Sequence, residues 1–351
     1  MVVSPLILAI RRQVAIDLAQ TIGEAKQTVK IIVMGAGALG SISAALLHEA
    51  GHEVALVARG ARAEHLRANG VTIEGLANVS AQCPIVTDTS MLSDCDLLIM
   101  TVKTFDMEAA LQQLAHVKVK AAISVQNGMM KEDQMAAVFG PDAVLISTSN
   151  FSGGVRDDGV ALFTVNLGVT IGKFGGGLSP QVQEVCEALE SAGIKAIPAA
   201  DTASAAWSKL VMWCGSAIAC ALTRVPTGKV LTDPDGAMLA ARVIREVGAV
   251  AAAEGATVEE MNPYDLPAMM LAADDEAAAK FVQVAGAVFL ENMPQHKPSI
   301  LQALEAGKQL EIGATLADVI ARAAKHGIPV PATDSGYRLL ASIDRALRTG
   351  V

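Results

Sequence analysis

Lys209 is the one charged residue in the apolar stretch Ala205–Leu222. A lysine there can do two things. At a helix edge it buries its methylenes and keeps its ammonium in water. Enclosed, it finds the charged form disfavoured, its pKa falls, and it becomes a proton donor near neutral pH, a role that contributes roughly 10²–10⁴ in rate. Both readings fit the helix taken alone. Lys103 and Asn127 stand just after the apolar runs Leu97–Val102 and Ala121–Val125. Open α/β sheets bind ligands outside the carboxyl ends of such strands. The plainer readings are a lysine capping a strand and an Asn-Gly turn, which favours positive φ. Ser299 opens the capping-box pattern Ser-Ile-Leu-Gln302 after Pro298. Its hydroxyl can cap a helix or meet a carboxylate. Glu311 reads as a solvated first-turn acid at the start of another helix.

These groups need a frame, and Thr28–Gly60 supplies it. The β-branched run Thr28–Met34 climbs into Gly35, Ala36, Gly37, Ala38, Leu39 and Gly40. A small-residue helix (41–50) follows, and Val54–Val57 is a second strand. Strand, tight turn, helix and strand at this length form a βαβ unit. Gly35 permits the turn, Gly37 lets backbone approach a pyrophosphate, and Gly40 lets helix and strand pack closely. The free N–H groups of the helix start favour the diphosphate. Arg59 ends the second strand where NAD-binding units place an acid for the ribose 2′-hydroxyl, and no Asp or Glu occurs from Val57 to Ala63. A cation there pairs with a 2′-phosphate, which favours NADPH over NADH; the plainer alternative is a solvated arginine.

The α/β pattern continues with strands over 71–74, 81–86, 97–102, 121–125 and 143–147. The runs 160–165 and 169–172 read as hairpins at a mixed-sheet edge. Ser179 and Pro180 begin a helix as cap and first residue. From Asp201 onward the strand signal stops, and helices are predicted over 202–221, 236–254, 274–290, from Ser299, 311–326 and 333–348. The predicted organisation is an N-terminal extension (1–27), an NADP-binding Rossmann-type domain (28–200) and an all-helical substrate domain (201–351). The segment Pro5–Ile10 is apolar but too short to span a bilayer, and the arginines follow it, the reverse of a signal peptide.

Composition narrows the partners. A net charge of −9 provides no electrostatic footprint for nucleic acid. Aromatics are only 3% against 52% hydrophobic residues, so alanine, leucine, valine and methionine must fill the core. Five scattered cysteines without metal-site spacing read as reduced core thiols of a cytoplasmic protein. The alanine- and methionine-rich stretch 238–252 fits a homodimer interface and a buried core equally well.

Taken together, the glycine turn, Thr101-Val-Lys103, Gln126-Asn127-Gly128, Trp207-Ser-Lys209, Ser299-Ile-Leu-Gln302, Glu311 twelve residues after Ser299, and the ending His326–Pro331 resemble the ketopantoate reductase (2-dehydropantoate 2-reductase) family over Val29–Leu347. The resemblance implies an α/β Rossmann-type domain followed by an all-α C-terminal domain, with the active site between them. It implies NADPH-dependent reduction of a small 2-oxo acid, without a metal or a membrane. Lys209 would donate the proton, Ser299 would bind the carboxylate, and Lys103 and Asn127 would line the cofactor and reaction cleft. Glu311 would contact the cofactor. The family's substrate-binding asparagines correspond here to Trp213, Ala217 and Thr227, so a more apolar 2-oxo acid is also expected. The rivals are an NAD-dependent 2-hydroxy acid dehydrogenase, against which Arg59 argues, and a non-catalytic NADP-binding or redox-sensing protein.

Overall fold

The structure, a computed structural model, describes residues 28–349, so the expected N-terminal extension lies outside the described residues. The first half alternates strands and helices: β1 (Lys30–Met34), α1 (Ala38–Glu49), β2 (Glu53–Val57), α2 (Gly60–Asn69), β3 (Val71–Gly75), β4 (Val79–Ala81), β5 (Ile85–Val86), β6 (Asp94–Met100), α3 (Met107–Leu114), β7 (Lys118–Ser124), α4 (Lys131–Phe139), β8 (Leu145–Val155), β9 (Ala161–Lys173), α5 (Pro180–Ser191) and β10 (Ala196–Pro198). One sheet runs β5-β2-β1-β6-β7, and every pairing in it is parallel. Val33 stands between Leu56 and Ile99.

Side chains alternate across a strand, and the two faces of this sheet have different covers. Ile31, Val33, Leu97 and Ile99 pack with Ile42 and Leu47 of α1 and with the second sheet. Ile32, Met34, Leu98 and Met100 pack with Met107, Leu111 and Leu114 of α3. Burial on both faces is why the central strands are apolar at every position rather than at alternate ones.

The second sheet has the order β10-β9-β3-β4, with β8 against β9. The two extended runs expected at 160–165 and 169–172 are one strand, β9, antiparallel to β8 and bearing register shifts at Ser149/Phe151 and Ser152/Gly153. Its ends pair in parallel with β3 and β10. The strand predicted over 71–74 therefore belongs here and not to the dinucleotide sheet.

From Thr202 onward, helices dominate: α6 (Thr202–Thr223), α7 (Thr227–Thr232), α8 (Pro234–Ala253), α9 (Leu266–Leu271), α10 (Asp275–Asn292), α11 (Ser299–Glu305), α12 (Asp318–His326) and α13 (Pro331–Thr349). Asp201 starts α6 by accepting a hydrogen bond from the Ser204 amide. α6 is the only described helix long and apolar enough to cross a membrane, and most of it is buried inside the protein. A Cβ on Gly215 would come within 2.9 Å of the Ala240 carbonyl of α8, so the two long helices touch backbone to backbone. This close approach is how a chain poor in aromatics reaches a dense core. Ala240, Ala241, Val243, Ile244 and Val247 are wholly buried there. The alanine-rich stripe of α8 is thus an internal face.

Two expectations about helix starts change. Pro298, not Ser299, is the cap of α11, and the Gln302 side chain turns back to the Lys297 carbonyl instead of closing a capping box. Proline has no N–H to satisfy and its φ suits a helix entry, so the helix starts around it and Ser299 occupies the first turn. The single helix expected over 311–326 is a π-helical turn, Gly313–Ala317, running into α12. Glu311 precedes both.

Candidate active site

Between the parallel sheet and the helices lies a cleft of about 1180 Å³. Its floor on the sheet side is the glycine turn. Gly35 takes φ +114°, and a Cβ on it would meet Thr101 Oγ1 at 2.9 Å. Thr101 Oγ1 donates to the carbonyls of Met34 and Gly35, fixing the turn to the end of β6. Gly37 has nothing within 4 Å of a built Cβ, leaving its backbone open to the cleft, whereas a Cβ on Gly40 would lie 1.9 Å from the Gly35 carbonyl. α1 then begins without a side-chain cap, so its first amides are left for a ligand. Gly35, Ala36, Gly37, Ala38 and Leu39 line the cleft; Gly40 sits behind them, where it lets helix and strand meet. These residues fit a dinucleotide's diphosphate.

Arg59 reaches the cleft and is highly exposed, its guanidinium 3.0 Å from the Asp106 carboxylate. Arg62 is occupied differently. It donates to the carbonyls of Ala36 and Gly159 and to Ser41 Oγ, tying the glycine turn to the β8–β9 hairpin.

The two strand-end residues lie in one cleft. Lys103 and Asn127 both line the cleft. Lys103 pairs with Glu311, whose second carboxylate oxygen accepts from the Thr104 amide at 3.0 Å. Glu311 is therefore a tie between the helical part and the end of β6, not a solvated first-turn acid. Gln126 donates to the Val102 carbonyl at 2.6 Å, holding the turn that carries Asn127. A Cβ on Gly128 would lie 2.1 Å from the Ala314 carbonyl, so that turn also abuts the π-helical segment.

Lys209 sits half-buried in the cleft, its ammonium donating to the Ser149 carbonyl of β8. Burial, with Lys131 adding like-charge repulsion and Glu311 partly opposing it, pushes its pKa down to about 7. The ammonium thus meets the β8 carbonyl at the cleft wall. Trp213, one turn on, is buried and lines the same wall, as does Thr227. Ala217 does not: it is fully buried in the helical core and absent from the cleft wall, because eight residues of helix rotate it away from Lys209 toward the packed interior. Ser299 lines the cleft, and its hydroxyl makes no cap bond.

Sequence reasoning missed two groups. Lys131 and Glu132 are almost wholly buried and paired at 2.9 Å. Lys131 also donates to the Gly128 carbonyl, and Glu132 accepts from the Ser147 amide, so the pair braces the Asn127 turn against β8. Adjacent charges at a helix start ordinarily read as solvated, and no local signal marks these. The second group, His296, lies in the cleft with Nδ1 2.9 Å from Thr227 Oγ1. Its place three residues before Ser299 was the available hint.

A glycine turn at the centre of a parallel sheet, facing a helical unit that presents a half-buried lysine, defines a Rossmann-type oxidoreductase. Residues 31–176 match the ketopantoate reductase PanE/ApbA family and residues 201–344 match its C-terminal part. The chain belongs to that family. Among its relatives, the 2-dehydropantoate 2-reductase of Archaeoglobus fulgidus is 28% identical over 91% of this chain and 99% of its own length. That of Halobacterium salinarum is 27% identical over 86% and 95%. Among solved structures, a PanE/ApbA family ketopantoate reductase from Ralstonia eutropha JMP134 superposes with a TM-score of 0.76 at 24% identity, covering 91% of this chain and 99% of that one. D-mandelate dehydrogenase with NADH and anilino(oxo)acetate superposes at 0.79, with 21% identity and the same coverage. Both share the fold.

Proposed function

We propose that the protein reduces a 2-oxo acid to the 2-hydroxy acid with NADPH: ketopantoate, or a more apolar acid admitted by Trp213. The observation that carries this reading is Lys209, a half-buried ammonium with a pKa near 7 in the cleft that the glycine turn also lines. Residues 28–200 would hold the dinucleotide through Gly35–Leu39, with Gly40 behind them shaping the turn, and through Arg59, and residues 201–351 would supply the acid. When bound, the nicotinamide supplies a hydride for C2 of the substrate. Lys209 donates its proton to the carbonyl oxygen as negative charge develops there, and a donor with pKa near the working pH does so most effectively. Ser299 orients the substrate carboxylate with its uncommitted hydroxyl. Asn127 and Lys103 border the reacting centre, and Glu311 holds the two halves of the cleft together through Lys103 and Thr104.

Arg59 supports NADPH over NADH, since a ribose 2′-phosphate offers its guanidinium a stronger partner than the single contact to Asp106. Five buried, unpaired cysteines support a reducing, cytoplasmic setting.

The test is oxidation of NADPH and of NADH by purified protein across ketopantoate, 2-oxoisovalerate, a longer aliphatic and an aryl 2-oxo acid, with Lys209→Ala alongside. Turnover that prefers NADPH and is lost in the variant supports the reading. A preference for NAD with 2-hydroxy acids would favour the oxidative dehydrogenase. Tight NADPH binding with silence across the panel would favour a non-catalytic protein.

A further inference from the structure

Beside the cleft, a second cavity of about 310 Å³ opens next to the Lys103–Glu311 pair. Lys103 and Glu311 line the cleft, their chain neighbours Thr104, Leu310 and Ile312 line this cavity, and no residue lines both. One wall is Thr104–Phe105, just beyond β6. The facing wall is a stripe of α13, where Tyr337, Ala341, Asp344, Arg345 and Arg348 recur at helical spacing. That wall is fixed in place: the buried Asp344 carboxylate accepts from the Leu310 amide at 2.8 Å and pairs with Arg348 at 3.1 Å. Gly313 also lines the cavity, and a Cβ on it would find nothing within 4 Å.

We infer that this cavity is a second ligand site, separate from the cleft, for a small organic anion: an aromatic ring bearing a carboxylate or a phosphate. The groups left free decide the chemistry. Asp344 is the only acid in the lining, and both its oxygens are engaged. The Gln309 amide, the Tyr337 hydroxyl and the Arg345 guanidinium have no hydrogen-bond or ion-pair partner among the described residues. All three can donate, and a guanidinium grips a carboxylate or phosphate in two-point fashion. In a chain of net charge −9, an unpaired arginine at a cavity is a local place for an anion. The apolar part of the ligand follows from Phe105, whose ring is 43% exposed at the cavity, and from Ile312 and Ala341 beside it. The volume is about twice the roughly 150 Å³ that admits a benzene ring, which leaves room for the ring and its charged group.

The position of the cavity gives its occupant a role. A ligand bonded to Arg345 and stacked on Phe105 joins α13 to the chain just beyond β6, beside the point where Lys103 and the Thr104 amide already hold Glu311. It therefore reinforces the tie between the two sides of the cleft. A coenzyme lying in that cleft touches both sides too, so the two ligands favour each other, and by the same factor in each direction.

The experiment is calorimetric titration of the full chain with phenyl phosphate and with benzoate, and with inorganic phosphate and phenol as probes of each half alone. Wild type, Arg345→Gln and Phe105→Ala are compared, with Tm measured for each; both positions are exposed, so the variants should fold. At least one of the two aromatic anions should bind more tightly than either half. Arg345→Gln should weaken it roughly ten-fold or more, the loss of a charge-assisted hydrogen bond, and Phe105→Ala several-fold. Saturating NADPH should tighten the binding. Affinity that Arg345→Gln leaves unaltered, no gain over inorganic phosphate, or displacement by NADPH, which would put the anion in the cleft, overturns the site. Binding that depends on Arg345 but ignores bound NADPH overturns the reinforcing role. The comparison of variants needs no coenzyme, so a protein that fails to bind NADPH would overturn the coenzyme assignment and still decide the site.

Discussion

Replacing Lys209 by methionine is expected to abolish turnover and to strengthen the fold. The lysine titrates near 7 in the protein against an ordinary value of 10.5. That difference of about 3.5, at about 1.36 kcal/mol per pKa unit, means that its charged form costs about 5 kcal/mol on folding. Methionine keeps the apolar stem and roughly the volume. It forfeits the hydrogen bond to the Ser149 carbonyl, worth about 1.5–3 kcal/mol for a charged donor. The net expectation is a gain of about 2–3.5 kcal/mol. Its pH dependence follows from the direction of the change. The folded pKa lies below the unfolded one, so the wild type carries the whole cost below pH 7, sheds it as pH rises from 7 toward 10.5, and is free of it above. Urea unfolding followed by circular dichroism at pH 6, 8 and 10 measures this directly, with kcat determined on the same samples. The variant should lead at pH 6 and lose its lead by pH 10. A variant that is less stable at pH 6, or a gap that ignores pH, would show the ammonium to be solvated and would falsify the enclosed-acid argument.

Four further outcomes are expected. Gly40→Ala places a Cβ 1.9 Å from the Gly35 carbonyl; the turn must open, and the NADPH Kd measured by calorimetry should rise roughly ten-fold or more, the effect of about 1.4 kcal/mol of misfit. Arg59→Ala should raise KM for NADPH and leave KM for NADH unchanged, and an equal effect on both coenzymes would remove the 2′-phosphate role. The neutral double variant Lys131→Met/Glu132→Gln deletes the like charge that helps depress Lys209, so the alkaline limb of the kcat/KM profile should move to higher pH; a uniform loss of rate with an unmoved limb would leave the pair only a bracing role. Trp213→Asn should be tolerated and raise ketopantoate turnover, whereas Ala217→Asn buries an amide in the helical core and should cost about 1–3 kcal/mol with little effect on KM, a contrast that thermal unfolding and steady-state kinetics of the two variants would reveal.

Local chemistry made much of this protein legible in its sequence. A glycine turn, a run of small helical residues and a β-branched strand specify a dinucleotide-binding unit because each acts on its own stretch of backbone. A lone lysine in an apolar helix stands out because charge among buried positions is expensive. Strand ends were legible for the same reason: central parallel strands are apolar throughout, so Lys103 and Asn127 mark where β6 and β7 leave the core.

Tertiary structure decided what depends on partners far along the chain. Arg62 could have faced a phosphate, but the carbonyls of Ala36 and Gly159 and the Ser41 hydroxyl claim it. Trp213 and Ala217 lie one turn apart on α6, and the packing of distant elements around that helix determines that one meets the cleft and the other the core. Ser299 is freed because Pro298 takes the cap. Lys131 and Glu132, unremarkable as the first residues of α4, are buried together because the start of that helix folds under the Asn127 turn and against β8. His296 acquires its orientation from Thr227, 69 residues away. Periodicity and turn chemistry act within a few residues. Which face is buried, and which polar group is already satisfied, is determined only once distant segments compete for the same contacts.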